Sequence, residues 1–575
     1  MKVLGLNHDM YISSAALIVD GEVVAGAAEE RFTRQKRTRA FPRRAVQFCL
    51  DQAGIGIDAV DAVANAWNPG VYMQKFNPLV SSSRRFKSEY LYSVPDNLLA
   101  MFPDNLRDVD HIHQRLALGG SKALDVYFVT HHRVHAANAF LLSPFEEAAI
   151  ITADSQGEVE STTIAHGEGN RIKVLRTQNH PHSLGAFYAT FTEFLGFRPH
   201  SDEWKVMALA AFSTPAATKP VEEVLRREVL QIGEDGFFEL NLRYFKDFLH
   251  ELPFLYTPAM TELLGQPRAE DDPLEERHYA IAAAMQNIVE DIAFRLMREA
   301  QRLTGADNVC AAGGFFMNSV LNGRILTNTP FKQVYISSSP DDSGNAIGAA
   351  AYLYNHILGQ PERHHLTHNF LGPDYSDAVI EAEINKSHLS AEKVADPSDT
   401  AARLLADGAV IGWFQGRMEF GQRALGNRSI LADPRGPDTK AKVNAAVKFR
   451  EPFRPFAPAI LAEYVSDWFD IEPGNTVPFM EKVYPIRREK QAEIPAVVHA
   501  DGSGRLQTVQ AATNPRFHAL IDAFRKRTGV PIVLNTSFNL NEEPIVCRPI
   551  DAIRTFHSCG LDALVMGSYV LRKPT

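Results

Sequence analysis

Strand-length apolar runs alternate with helix-length segments along most of the chain, and that alternation restricts the fold to layers of α/β type. The opening is a strand at Lys2–Leu6, a polar turn at Asn7-His8-Asp9 and a strand at Ala15–Val19. Asp20-Gly21 then closes a hairpin into Glu22–Ala28, because both residues tolerate the positive φ of a primed turn. Pro42 and Gly54 bracket a helix. Further on come a strand at Glu147–Ala153, a long helix at Glu276–Leu303 stopped by Gly305, and a strand at Asn308–Ala312. Val334–Ser338 leads as a strand into the small-residue helix Gly344–Tyr354. The polar, Gly- and Pro-containing stretch 358–371 reads as a linker, which gives a first domain at 1–357 and a second at 372–575. The second resumes with a helix at Asp399–Asp407 and a strand at Ala409–Trp413, and closes with a strand-like Ala563–Leu571. No internal repeat and no low-complexity tract stands out.

A chain of 575 residues exceeds one hydrophobic core and has room for roughly three or four domain-sized units. Its net charge of −10 excludes the general nucleic-acid binders, which carry a basic domain. The four cysteines, Cys49, Cys310, Cys547 and Cys559, are widely spaced without a CxxC pair, so a reducing cytoplasm is expected rather than a disulfide framework. No apolar run approaches the ~20 residues of a membrane span.

Two polar constellations stand out. In Thr130-His131-His132-Arg133-Val134-His135, threonine is placed as an N-cap, and His131 and His135 share one helix face at the spacing that lets two imidazoles hold one ion. His132 with His135 is the weaker pair. Asp154 closes an apolar strand, and Asp341-Asp342 lies between a strand and a helix. Two imidazoles with two carboxylates suit iron, manganese or zinc. The alternative is ordinary capping and packing. Gly313-Gly314, between strand Asn308–Ala312 and a helix carrying Asn318, is a turn through which backbone could approach a nucleotide.

The second constellation spans residues 415–458. Arg417, Arg423, Arg428, Arg435, Lys440, Lys442, Lys448, Arg450 and Arg454 face only Glu419, Asp433, Asp438 and Glu451. Several of the arginines adjoin Phe, Leu, Ala or Pro, as cations in a partly buried cleft do, and their planar forks suit phosphate or carboxylate. Local acids are too few to pair them, which favours a bound phosphate, acyl phosphate or nucleotide. Arg505 and the strand-end residues Asn535 and Ser537 could join. By contrast, Arg31–Arg44, with seven basic residues and no acid, reads as a solvated face.

The strings DGEVVAGAAEERFTRQK, HHRVHAANAF, DEWKVMALA, AAGGFFMNSVLNGRI, DDSGNAIGAA, QRALGNRSILADPR, NAAVKFREPFRPFAP and NTSFNLNEEPIV together resemble the O-carbamoyltransferases of nodulation and antibiotic pathways, the NodU/CmcH type. The resemblance covers nearly the whole chain in family order. It implies an actin-like ATPase (Kae1-like) first domain and a YrdC-like α/β second domain. The implied chemistry makes carbamoyl-adenylate from carbamoyl phosphate and ATP in the second domain and transfers the carbamoyl group to an acceptor hydroxyl in the first. By position the metal ligands would be His131, His135, Asp154 and Asp342, and the nucleotide turn Gly313, Gly314 and Asn318. His8 falls on the base. Arg423, Lys448, Arg454, Arg505, Asn535 and Ser537 fall on the carbamoyl-phosphate and ATP pocket, with Lys448, Arg423 and Ser537 catalytic. The implied metal is Fe(II), with Mg(II) serving ATP. The acceptor is a small hydroxyl-bearing molecule; neither nucleic acid nor membrane is expected. Two rivals are an actin-like small-metabolite kinase and a non-catalytic binding homologue. Met10-Tyr11-Ile12 and Ala208 depart from the family pattern where an acceptor would sit.

Overall fold

The computed structural model describes residues 1–8, 11–68, 110–116, 122–246, 254–448, 451 and 453–573. The chain forms two compact units. The first comprises residues 1–10, 14–24 and 50–365; the second takes in residues 11–13 and 25–49 along with 366–575.

The first unit holds two sheets. Strands β1 (Lys2–Asn7), β2 (Ser14–Val19), β3 (Glu22–Ala28), β4 (Ala62–Asn65), β5 (His111–Leu116) and β6 (Leu124–Val129) run in the order β3-β2-β1-β4-β6-β5. Strands β7 (Glu147–Ala153), β8 (Glu160–Glu168) and β9 (Arg171–Asn179) are followed by a short hairpin, β10 (Leu230–Ile232) with β11 (Phe238–Leu240). Strands β12 (Asn308–Ala312) and β13 (Gln333–Ile336) complete the second sheet, β13-β12-β7-β8-β9. In the first sheet β1 is antiparallel to β2 and parallel to β4, which is parallel to β6. In the second, β7 is antiparallel to β8 and parallel to β12, which is parallel to β13. One plan, three consecutive neighbouring strands followed by two that run parallel to the first of them, is therefore used twice, and β5 is an addition to the first copy. This duplication is the actin-like architecture that the resemblance implies, repeated in strand order and polarity without a visible repeat of sequence.

Asp20 (φ 48°) and Gly21 (φ 86°) adopt the primed turn that the sequence calls for between β2 and β3. Small residues set how closely the layers approach. A Cβ on Gly5 of β1 would lie 1.8 Å from the Ala346 carbonyl oxygen, and one on Gly348 would lie 2.3 Å from that of Val134. The buried helix Asn345–Ala351 is thereby seated on β1 and against the helix His131–Phe140.

The second unit is built on β14 (Glu392–Lys393), β15 (Ile411–Phe414), β16 (Arg428–Ala432), β17 (Ala457–Leu461), β18 (Lys482–Pro485), β19 (Ser503–Val509), β20 (Ile532–Ser537), β21 (Ala563–Met566) and β22 (Tyr569–Arg572). They form one sheet in the order β14-β22-β21-β15-β16-β20-β17-β19-β18, with Trp413, Phe517 and Leu534 in its core. The single strand expected over Ala563–Leu571 is instead a hairpin, because Gly567 turns the chain at φ 56°. All four cysteines are free. Among the described residues no helix is long and apolar enough to cross a membrane.

Candidate functional site

The helix His131–Phe140 starts at Thr130, but no side-chain capping bond is made by that threonine. The expected cap is replaced by Glu158, from the loop between β7 and β8, whose two carboxylate oxygens each lie 3.0 Å from the His131 amide. Glu158 also accepts from the Asn68 amide at 2.7 Å. Burial pushes its carboxyl up to about 7, in an environment where a fully charged, poorly paired carboxylate is costly.

On the next turn His131 and His135 point the same way. Their Nε2 atoms are 3.0 Å apart, His135 Nε2 is 3.0 Å from Asp154 Oδ2, and both Nε2 atoms are 3.4 Å from Asp342 Oδ1. The four ligand atoms all lie within 4.8 Å of one another. Asp154 arrives from the end of β7, and Asp342 from the turn that opens helix Asn345–Ala351. Asn345 Nδ2 donates to Asp342 Oδ1 at 3.4 Å. His132 faces away, with Nδ1 2.7 Å from Thr152 Oγ1, so His131 and His135 are the pair. Burial opposes ionisation of Asp154, but hydrogen bonds from His131 and His135 outweigh it and hold its carboxyl well below the usual range. Burial likewise opposes charging of His135, yet its bonds to Asp154 and Asp342 raise it to about 9. Two nitrogens and two carboxylate oxygens converging in a buried cluster fit a divalent cation.

The glycine turn lies against this cluster. A Cβ on Gly313 (φ 103°) would fall 2.0 Å from the Ala153 carbonyl oxygen, and one on Gly314 would fall 3.1 Å from Asp154 Oδ1. Asn318 is occupied locally. Its side chain caps helix Ser319–Asn328 at the Leu321 amide and exchanges bonds with Gln286 at 3.0 and 3.2 Å. His8 follows β1 in the turn toward β2, where Asn7 pairs with Ser14 and Ser14 Oγ donates to the Ser343 carbonyl at 2.9 Å. That bond carries the His8 turn to the loop bearing Asp342. Asp9 and Met10 lie outside the described residues.

In the second unit Lys448 ends the π-helical segment Asn444–Lys448 with its side chain fully buried. Its ammonium reaches the Ser537 carbonyl at 2.6 Å, the Asn539 carbonyl at 2.9 Å, Asn539 Oδ1 at 3.0 Å and Ser537 Oγ at 3.4 Å. Ser537 Oγ donates to Asn539 Oδ1 at 2.6 Å. Asn535 and Ser537 share one face of β20, two residues apart. Asn535 Nδ2 donates to Gln507 Oε1 on β19 at 2.8 Å and to the Ala424 carbonyl at 3.1 Å, while Gln507 Nε2 donates to the Leu425 carbonyl at 2.9 Å. The loop that carries Arg423 is thus fixed to this face, and Arg505 lies two residues from Gln507 on the same side of β19. Arg454, buried just ahead of β17, pairs with Glu451 at 3.2 Å. Arg450 lies outside the described residues.

Three other cations of the stretch are satisfied within the protein. Arg428 is fully buried yet donates to the carbonyls of Gln415, Gly416, Asn427 and Pro373 and stacks 3.7 Å from the Phe414 ring centroid. Arg417 donates to the carbonyls of Leu371 and Gly372, and Arg435 pairs with Asp433. The scarcity of acids misled here, because main-chain oxygens satisfied the charges. In the run Arg31–Arg44 the expected solvated face holds for Lys36, Arg39, Arg43 and Arg44, which are exposed, whereas Arg31 is buried against Glu30 at 2.9 Å. Sequence reading also passed over Glu158 and Gln507, which no local pattern marks; Asn539, which closes the strand-end segment begun by Asn535 and Ser537, holds Lys448.

Residues 2–351 match the carbamoyltransferase N-terminus family model and residues 402–573 the carbamoyltransferase C-terminus model, so the chain belongs to the carbamoyltransferase family. It is 36% identical over 582 residues to the nodulation protein NolNO of Sinorhizobium fredii, covering 99% of this chain and 80% of that one. It is 27% identical over 459 residues to the 3'-hydroxymethylcephem-O-carbamoyltransferase of Amycolatopsis lactamdurans, covering 78% and 80%. Among solved structures, component A of (R)-2-hydroxyglutaryl-CoA dehydratase from Acidaminococcus fermentans aligns over 62% of this chain and 99% of its own, at 15% identity and a TM-score of 0.34.

Proposed function

We propose that this carbamoyltransferase is ATP-dependent and acts on a hydroxyl of a small natural product or sugar. Carbamoyl phosphate, ATP and water give carbamoyl-adenylate, pyrophosphate and phosphate in the second unit. The acceptor oxygen then attacks the carbamoyl carbon, the bond to the adenylate phosphate breaks, and AMP leaves with the proton taken by a base. The observation that carries this reading is Lys448, a fully buried ammonium held by Ser537 and Asn539 in the part of the chain that matches the carbamoyltransferase C-terminus. Its three protons lie on the Ser537 and Asn539 oxygens, so meeting a phosphate exchanges one of these bonds for a charge-assisted one.

Lys448, Arg423, Arg454 and Arg505 neutralise the phosphates, and Asn535 and Ser537 supply neutral hydrogen bonds. Lys448, Arg423 and Ser537 act on the reacting groups. In the first unit Gly313, Gly314 and Asn318 receive the nucleotide, and His8 is the base for the acceptor hydroxyl. A divalent ion, Fe(II) in this reading, held by His131, His135, Asp154 and Asp342 would offset the charge of the leaving AMP, with Mg(II) accompanying ATP.

The test is incubation with ATP, carbamoyl phosphate and a panel of hydroxylated metabolites, read as a carbamoyl mass gain together with AMP and pyrophosphate. Formation of ADP with a phosphorylated metabolite would establish a kinase instead. Lys448→Ala should abolish carbamoyl-phosphate-dependent ATP–pyrophosphate exchange while His8→Asn spares exchange and blocks transfer.

A further inference from the structure

The segment 25–49 packs in the second unit, where Arg31 is buried and Arg34 half-buried while Lys36, Arg39, Arg43 and Arg44 stay exposed. Arg34 donates through Nη1 to the Ile545 carbonyl at 2.6 Å and through Nη2 to the Pro544 carbonyl at 2.7 Å. Arg31 donates through Nη2 to the Gly421 carbonyl at 2.8 Å, with its charge balanced by Glu30. Between them Phe32 packs on the small cluster of Met418, Ile545 and Cys547. Arg34 has φ 62°, a left-handed conformation that a non-glycine residue keeps only when its surroundings fix it.

These contacts fall on two loops that lead into the anion-binding face. Gly421 opens the loop of Arg423, which is tied to Asn535 and Gln507 through the Ala424 and Leu425 carbonyls. Pro544 and Ile545 follow Glu543, whose carbonyl accepts from Asn539 Nδ2 at 2.8 Å. Asn539 in turn holds Lys448 and Ser537. An unbroken path runs from Arg34 through residues 543–545 and Asn539 to the Lys448 ammonium.

We propose that Arg31 and Arg34 are positioning residues for the carbamoyl-phosphate and ATP pocket of the second unit. They clamp the Arg423 loop and the Asn539–Ile545 loop, so that the adenylate-forming site is completed by a segment from the start of the chain. The guanidinium fork of Arg34 bridges two successive carbonyls, a geometry that a single lysine ammonium does not reproduce. Arg31 reaches one carbonyl on this loop, which a lysine can also do. The proposal rests on the reading of Lys448 and Ser537 as the donor pocket.

The test uses the full-length protein and carbamoyl-phosphate-dependent ATP–pyrophosphate exchange. Arg34→Met, Arg34→Lys and Arg31→Met are expected to raise KM for carbamoyl phosphate about tenfold or more, with kcat within about threefold at saturation, as a displaced loop does. Arg31→Lys should keep KM within about twofold. A purely structural role would lower the melting temperature and the active fraction and leave KM alone; that pattern, or an unchanged KM throughout, overturns the proposal. Should the Arg34 variants fail to fold, the Arg31→Met and Arg31→Lys pair decides it by the same criteria. Lys448→Ala is run in parallel. If exchange survives in that variant, the pocket reading falls and the clamp with it. If exchange is lost there while the arginine variants keep their KM, only the clamp is wrong.

Discussion

The Nε2 atoms of His131 and His135 lie 3.0 Å apart and converge with two carboxylates. Neither nitrogen can satisfy the other unless one carries a proton and the other a lone pair, whereas a divalent cation takes both lone pairs at once. His135→Ala and Asp342→Ala should therefore yield folded protein whose divalent metal content after gentle purification falls to background. Elemental analysis checks this, with the wild type purified in parallel.

Glu158 replaces the expected threonine cap on the helix that carries both histidines. Glu158→Ala leaves the buried His131 and Asn68 amides without their acceptor, which costs about 1–3 kcal/mol for such a group. Chemical denaturation of the first unit should show a loss of that size, and Glu158→Gln should recover most of it because an amide oxygen also accepts.

At Gly313 a side chain meets two obstacles, the positive φ of 103° and a Cβ position 2.0 Å from the Ala153 carbonyl oxygen. Gly313→Ala should destabilise the protein by roughly 2 kcal/mol or more. It should also weaken metal retention, since β7 moves and Asp154 follows directly after Ala153. Thermal unfolding and metal content report the two effects separately.

His356 gives the protein an acid limit. Its Nδ1 accepts from the Ile172 amide at 3.1 Å, so the ring is held neutral, and burial lowers it to about 4. The unfolded chain, with an ordinary value near 6.5, binds the proton first. Stability is therefore full above about pH 6.5 and falls as the pH drops toward 4, by about 2 kcal/mol after allowance for solvent screening. Urea unfolding between pH 4 and 7 should show this slope, and His356→Asn should make it shallower without abolishing it, because burial lowers His132 and His499 in the same sense.

The most legible elements were those with local causes. Asp20-Gly21 required a primed turn, and the chain turns there with both φ positive. Gly305 ends the long helix Glu276–Thr304 in the left-handed region. The spacing of His131 and His135 put two imidazoles on one helix face, and they converge with Asp154 and Asp342. The strand pair around Gly567 was less legible, since apolar residues run on both sides of a single glycine. The duplicated sheet was legible only through the family resemblance and not as a repeat, because strand order and polarity constrain burial at each position but not residue identity.

The sequence by itself determined where most strands and helices fall, which side chains share a face, and the family to which the chain belongs. Only the tertiary structure decided how the cations are satisfied. Arg428 and Arg34 are satisfied by main-chain carbonyls, Arg31 by a carbonyl and Glu30. A carbonyl oxygen is present at every residue and so has no letter of its own. A tally of acids against bases counts only side chains, and it placed Arg428 in an anion pocket and Arg31 in solvent. The fold brought carbonyls to both, and it made a segment at the start of the chain part of the unit that holds Lys448.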